Sequence, residues 1–251
     1  MPELAQKCIA SWKKFCPDYE IIQWNDNNFD INAHAYTKSA YQEKKFGFVP
    51  EFARFYVVYH NGGIYLDNDV ELLKNLDDLL NQEAFIGTEK FGALINSGSG
   101  YGAIKHSKII GELLNIYEKM PFENEDGVLN MTPGPSLVTP VLLAKGWKPD
   151  NTKQTIQGLT IYPTDYFCPK DYDKVLRITS NTYSIHHFAG SWVDEKMKAD
   201  FETQKKLAKL FGPMGAVSIW YLVKIYRRKG FLHILKRSPF LIKKFLASRA
   251  K

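Results

Sequence analysis

Asp67 and Asp69 stand two residues apart where the apolar run Gly62-Gly63-Ile64-Tyr65-Leu66 ends. In an extended chain, residues i and i+2 face one side, so the two carboxylates can converge on one divalent ion while Ile64 and Leu66 point to the core. Magnesium and manganese prefer oxygen ligands, take one or two protein carboxylates and leave their other positions to phosphates and water. Such an ion offsets charge that grows on a diphosphate leaving group as the bond from an anomeric carbon breaks, which is the chemistry of a sugar nucleotide. Two plainer uses of the pair are a cap on the stretch Leu76 to Leu80 and a solvated turn. A calcium loop is excluded: counted from Asp67, the sixth position is Leu72 where Gly is required and the twelfth is Asp78 where Glu is required.

The element in front of this run must position it. Phe48 to Gly63 reads as a helix with Pro50 in its first turn and glycine just past its end. Phe52, Phe55, Tyr56 and Tyr59 share an apolar face, and Glu51 and Arg54 form an i, i+3 pair on another edge. That pair is either a surface ion pair of small energetic weight or a donor contact, with Arg54 on a phosphate or sugar and Glu51 on a sugar hydroxyl.

The short helix with its acidic-x-x-Arg pair, followed by Gly62-Gly63-Ile64-Tyr65-Leu66-Asp67-Asn68-Asp69-Val70-Glu71, resembles glycosyltransferase family 32. The resemblance runs from about Pro2-Glu3-Leu4, through Ser11-Trp12 and Pro17 to Ile21, as far as Ser191-Trp192. It implies a GT-A fold and a sugar transferase of the bacterial capsule and lipopolysaccharide type. It also implies Asp67 at the donor ribose and metal, Asp69 as direct metal ligand, and Arg54, Glu51 and Tyr65 at the donor. Glu51 departs from the family's usual Asp, and its longer side chain shifts the expected sugar contact. Tyr183 to Trp192 resembles the family's H-H-x-x-x-S-W segment, which returns the chain to the metal and diphosphate. Strand alternation turns His186 and His187 to opposite faces, so one of them reaches the ion, and His187 is the expected third ligand. The same pair is otherwise a core histidine and its neighbour. Ser191 and Trp192 are expected to cover the diphosphate or sugar.

Leu94 to Ala103 carries glycines that permit close backbone approach to a ligand, and Asn96 is an expected donor contact. Gly98 to Ala103 also matches G-x-G-x-x-A, but these glycines do not open the helix that begins near Ser107, so the dinucleotide reading is set aside. Thr132 to Ser136 is expected to start a helix, which the resemblance places near the acceptor cleft.

The chain has 251 residues, 45% hydrophobic and 14% aromatic, enough for one core of roughly 200 residues plus an appendage. Strands are expected at Tyr19 to Trp24, Ala84 to Thr88, Leu159 to Tyr162 and Tyr183 to His187, and helices near Glu3 to Phe15, Pro50 to Asn61 and Ser107 to Lys119. The fold class is therefore α/β with a mixed central sheet, with residues 1–202 as catalytic domain and 203–251 as a basic helical tail. Cys8, Cys16 and Cys168 lack zinc-like spacing, and a reducing cytoplasm suits them.

Thirteen Lys and Arg and no acidic residue follow Glu202, so the net charge of +6 is a property of the tail. Ala216 to Val223 is far shorter than the roughly 20 residues of a membrane span. Apolar clusters at Phe231-Leu232 and Phe240 to Ile242 alternate with Lys236, Arg237, Lys243 and Lys244, a pattern that suits either helices packed on the core or peripheral attachment to an anionic membrane surface. No base-reading module accompanies the basic run, so nucleic acid is not an expected partner.

The family usually opens with a short strand of the I-P-K-I-I-H type, whereas Met1-Pro2-Glu3-Leu4 lies just downstream of that point; an amino-terminally extended version is expected to bind donor more tightly and to be more stable. The expected function is transfer of a hexose from a UDP- or GDP-sugar to a saccharide or lipid-linked acceptor in surface-polysaccharide assembly, with Mn2+ or Mg2+. The resemblance implies retention of the anomeric configuration. No enzyme nucleophile stands out, which favours same-face attack by the acceptor hydroxyl with the departing phosphate oxygen as base. The competing functions are nucleotide-sugar hydrolysis and non-catalytic sugar-nucleotide binding.

Overall fold

The glycines of Leu94 to Ala103 belong to a strand, and the rest of the site is arranged around it. The computed structural model of the chain describes residues 1–170, 175–190 and 195–234. In chain order these form α1 (Glu3–Phe15), α2 (Ala35–Gln42), α3 (Val49–Asn61), β1 (Gly63–Tyr65), β2 (Val70–Leu72), β3 (Ala84–Glu89), β4 (Leu94–Ala103), α4 (Lys108–Lys119), α5 (Gly134–Ala144), β5 (Gln154–Ile156), β6 (Leu159–Tyr162), α6 (Thr164–Phe167), β7 (Ser184–His186) and α7 (Glu195–Lys229). The chain is α/β, and the central sheet has the order β1-β4-β3-β6-β5. Among the described residues, only β3 and β6 of this sheet run parallel; its other pairs are antiparallel, so the sheet is mixed.

Two compact units are present, Met1–Met120 with Thr132–Ala189, and Pro121–Met131 with Gly190–Lys251. In the first, Leu72, Leu79, Phe85, Phe167 and Tyr183 form a buried cluster against which Trp12 and Leu66 pack. In the second, Tyr221 and Arg228 of α7 hold the Pro121–Met131 loop, Tyr221 through Asn124 and Asp126 and Arg228 through Glu123 and the Gly127 carbonyl.

Helix α3 begins with Val49 and Pro50 in its first turn and stops at Gly62, whose φ of 75° is costly for a residue with a side chain. Its stop feeds β1 directly, which brings Asp67 and Asp69 to the strand's far end. Antiparallel β2 and β7 make a separate two-stranded sheet, with Val70 opposite His186 and Glu71 opposite Ile185. The outer edge of β2 is satisfied by α1, where Trp12 Nε1 donates to the Val70 carbonyl at 2.7 Å and Ser11 Oγ accepts from Leu72 N at 2.9 Å. An edge closed by side chains offers no ladder to a stray strand.

Tyr19 to Trp24 forms no strand, contrary to its apolar pattern. A strand is a paired state, and none of the described strands lies along this stretch; Ile21 and Ile22 are exposed. On β4 the register against β3 jumps between Ile86, opposite Tyr101, and Gly87, opposite Asn96. Ser97 to Gly100 therefore bulge off the ladder, and bulges of this kind re-aim a backbone beside a site. The G-x-G-x-x-A match lies in this bulged strand and opens no helix.

Candidate metal and donor site

Asp67, Asp69 and His186 each offer a ligand atom, and these atoms lie within 4.8 Å of one another. Backbone bonds hold both carboxylates in place. Asp67 N donates to the Gly98 carbonyl at 3.2 Å, and the Asp67 carbonyl accepts from Val70 N at 3.0 Å, closing the turn that carries Asn68 and Asp69. The Asp69 carbonyl accepts from His187 N at 3.0 Å, and its Oδ2 accepts from Ala189 N at 2.8 Å.

Asp69 is 9% exposed and His186 is 8% exposed. Burial opposes the charge of Asp69, but the hydrogen bond and charge of His186 and the Ala189 N–H outweigh it and hold the carboxyl below its ordinary range. Asp69 is thus an anion at neutral pH. Two carboxylate oxygens and an imidazole nitrogen form a donor set that suits a divalent cation.

Arg54 projects from α3 behind Asp67. Its Nη2 is 3.3 Å from Asp67 Oδ1 and 3.9 Å from Glu51 Oε1, its Nη1 donates to Ser97 Oγ at 3.3 Å, and its Nε donates to the Pro50 carbonyl at 3.1 Å. The guanidinium is buried, yet Asp67 and Glu51 more than offset the cost of burial and keep it charged. Tyr65 donates to Asp67 Oδ1 at 2.8 Å and lies 5.2 Å beneath the guanidinium. Arg54 and Tyr65 thus orient Asp67 from the protein side.

Glu51 points at the first turn of α5. Burial pushes its carboxyl up, Arg54 pulls it down, and the Gly134 N–H and the Tyr117 hydroxyl bind it as well. Gly134 lacks a side chain at the one place where a Cβ would collide with Glu51 Oε2. The additional length of Glu is taken up by α5.

The structure places His186, and not the expected His187, beside Asp67 and Asp69. The register that sets Glu71 opposite Ile185 puts Glu71 on the face of β7 that His187 also uses, and His187 Nε2 lies 2.9 Å from Glu71 Oε2. His186 takes the other face and reaches Asp69, with Nε2 3.3 Å from Oδ1. Asn96, the expected donor contact, is 3% exposed and turned into the protein. Ser191 and Trp192 lie outside the described residues. Ser97 and the Ala189 N–H had no separate sequence signal, whereas Gly98 and Gly134 lie in the glycine stretch and the helix-starting turn that the sequence marks. A Cβ on Gly98 would strike Asp67 Oδ2, so the glycine pattern around it was the one available hint.

Residues 2–86 match the family model of the glycosyltransferase sugar-binding region containing DXD motif, and this stretch holds Glu51, Arg54, Asp67 and Asp69. The chain carries a DXD-motif glycosyltransferase region. Outside this region, β7 supplies the histidine. Inositol phosphoceramide mannosyltransferase 1 of Schizosaccharomyces pombe is 29% identical over 105 residues, which is 37% of this chain and 32% of that protein. Inositol phosphoceramide mannosyltransferase 3 of the same yeast is 26% identical over 106 residues, 39% of this chain and 30% of that protein. The matched stretch thus spans about a third of each curated relative. No solved structure matches the chain significantly.

Proposed function

We propose that the protein is a metal-dependent, retaining hexosyltransferase of the GT-A fold and of the family 32 type. Its donor is a nucleotide diphosphate sugar and its acceptor a saccharide or lipid-linked saccharide in surface-polysaccharide synthesis. The observation that carries this reading is the meeting of Asp67 and Asp69, from the end of β1, with His186 from β7, beside the buried Arg54. Bound Mn2+ would supply Lewis-acid neutralisation of the departing diphosphate. The chain's own part is to hold the ligand carboxylates fixed: Arg54 and Tyr65 orient Asp67, and His186 and the Ala189 N–H orient Asp69. Groups arranged beforehand need no reorganisation at the moment of bond cleavage.

The two yeast relatives are mannosyltransferases by name, which favours a mannosyl donor. The test is Mn2+-dependent hydrolysis of a panel of UDP- and GDP-sugars, GDP-mannose included, by the wild-type protein and by Asp69→Ala. Turnover of one donor that needs both Mn2+ and Asp69 supports the reading, and silence with every donor overturns it. With a donor and acceptor in hand, an inverted product anomer would sink the retaining mechanism.

Among the described residues, no helix is long and apolar enough to cross a membrane. Near the end of α7, Leu222 and Tyr226 are exposed four residues apart, Phe231 and Leu232 are exposed just beyond it, and Arg227 and Lys229 lie between them. Exposed apolar side chains among cations suit the interface of an anionic bilayer, which would bring the enzyme to a lipid-linked acceptor at the inner face of the cell membrane. The expected result is flotation with phosphatidylglycerol vesicles and not with phosphatidylcholine vesicles, lost in Phe231→Ser/Leu232→Ser. Lys236, Arg237, Phe240 to Ile242, Lys243 and Lys244 lie outside the described residues.

A further inference from the structure

Asn96 sits where the supports of both carboxylates meet. Its Oδ1 accepts from Gly98 N at 2.8 Å and from Ser99 N at 3.1 Å, and the Gly98 carbonyl in turn accepts from Asp67 N at 3.2 Å. These two backbone donors fix which end of the amide is oxygen. The Nδ2 end therefore faces the opposite way, donating to Glu89 Oε2 at 2.7 Å and lying 3.4 Å from His186 Nδ1, while His186 Nε2 reaches Asp69 Oδ1 at 3.3 Å. The amide oxygen thus takes two backbone donors, and one of the two amide N–H groups goes to Glu89.

Glu89, at the end of β3, is 9% exposed. A carboxylate in such a place carries a high desolvation cost, and the Asn96 bond offsets part of it. The bond also prevents the amide from turning, which would expose an N–H to Gly98 and an oxygen to Glu89.

We infer that Glu89 and Asn96 are positioning residues for metal binding: Glu89 locks the Asn96 amide, and the locked amide sets the Gly98 backbone that holds Asp67. Neither residue belongs to the candidate ligand set of Asp67, Asp69 and His186. The inference rests on the proposed metal site and adds to it the pair that holds the Asp67 arm of that site. Support of this kind is worth about 10- to 100-fold in metal affinity at sites where it has been removed.

The experiment measures Mn2+ binding, not turnover, by following free Mn2+ in electron paramagnetic resonance titrations of the full chain, together with its thermal melt. Wild type, Asp69→Ala, Glu89→Gln, Asn96→Asp and the double variant Glu89→Gln/Asn96→Asp are compared. The double variant remakes the pair with its polarity reversed, the amide now on β3 donating to a carboxylate on β4. Each single variant is expected to weaken Mn2+ binding by about 10-fold or more while melting cooperatively, and the double variant to recover most of the loss. Wild-type affinity in a folded single variant, or a folded double variant without recovery, would overturn the inference while leaving the metal site standing. If a single variant fails to fold, the double variant decides by the same criterion. Wild-type protein that shows no Asp69-dependent binding would overturn the metal site itself, and the inference with it.

Discussion

His186 sets its Nε2 3.3 Å from Asp69 Oδ1, joining a strand late in the chain to the turn after β1. Its neighbour His187 makes the same kind of contact to a different carboxylate, Glu71, at 2.9 Å. Two adjacent histidines of one sequence motif therefore belong to two structures, one to the candidate metal site and one to the brace between β2 and β7.

This division predicts opposite phenotypes. His186→Ala should raise the Mn2+ concentration for half-maximal binding by about 10-fold or more. His187→Ala should leave Mn2+ binding within about 3-fold of wild type and cost roughly 1 kcal/mol of stability, the usual scale of one lost hydrogen bond. Mn2+ titration and urea unfolding of both variants check the pair, and equal loss of Mn2+ affinity would contradict it.

Arg54 is buried between Asp67 and Glu51, so its removal takes away the buried cation that both carboxylates share. Arg54→Ala should destabilise the fold by about 3 kcal/mol or more. Arg54→Lys keeps the charge but cannot bond the Pro50 carbonyl, Ser97 and Asp67 together, and should recover only part of that loss. Urea denaturation of the three proteins gives the order wild type, Lys, Ala.

Gly98 and Gly134 each face a carboxylate oxygen at a place a methyl group would fill, Asp67 Oδ2 and Glu51 Oε2 respectively. Gly98→Ala should displace the Asp67 carboxylate and lower metal-dependent turnover by about 100-fold, the scale of a 1 Å misplacement. Gly134→Ala should push Glu51 off the α5 terminus and act on the donor KM more than on Mn2+ affinity. Steady-state kinetics at varied donor and varied Mn2+ separate the two.

Glu71 predicts a pH dependence. Burial works against its charge, but Lys7 and His187 outweigh it and hold the carboxyl below its ordinary value of 4.5. A carboxyl whose folded pKa lies below its unfolded one contributes in full above the unfolded value and loses that contribution as pH falls through the folded value. The stability difference between wild type and Glu71→Gln should thus be fully present above about pH 5, about 1 kcal/mol given that Lys7 is well exposed, and should shrink from about pH 4.5 downward. Chemical denaturation across that range tests it, and a difference that grows on acidification would contradict the sign.

Much of this protein was legible along the chain. Helix α3 with Pro50 and the Gly62 stop, the helices near Glu3 and Ser107, the strands at Ala84 and Leu159, and the carboxylate pair after β1 all follow from patterns confined to a few neighbouring residues. Such patterns report what a segment does locally: periodicity, caps, and which side chains share a face. What they leave open is the partner. Tyr19 to Trp24 has the composition of a strand and no described strand beside it, and the glycines of β4 lie in a bulge visible only once β3 is paired. Asn96 has the residue type of a ligand contact, yet its hydrogen bonds go to Glu89 and the β4 backbone. Sequence alone determined that two carboxylates would stand together at the end of an apolar strand. Only the tertiary structure decided that His186 would join them, because the β2–β7 register acts between segments far apart in the chain, and no spacing within either segment encodes it.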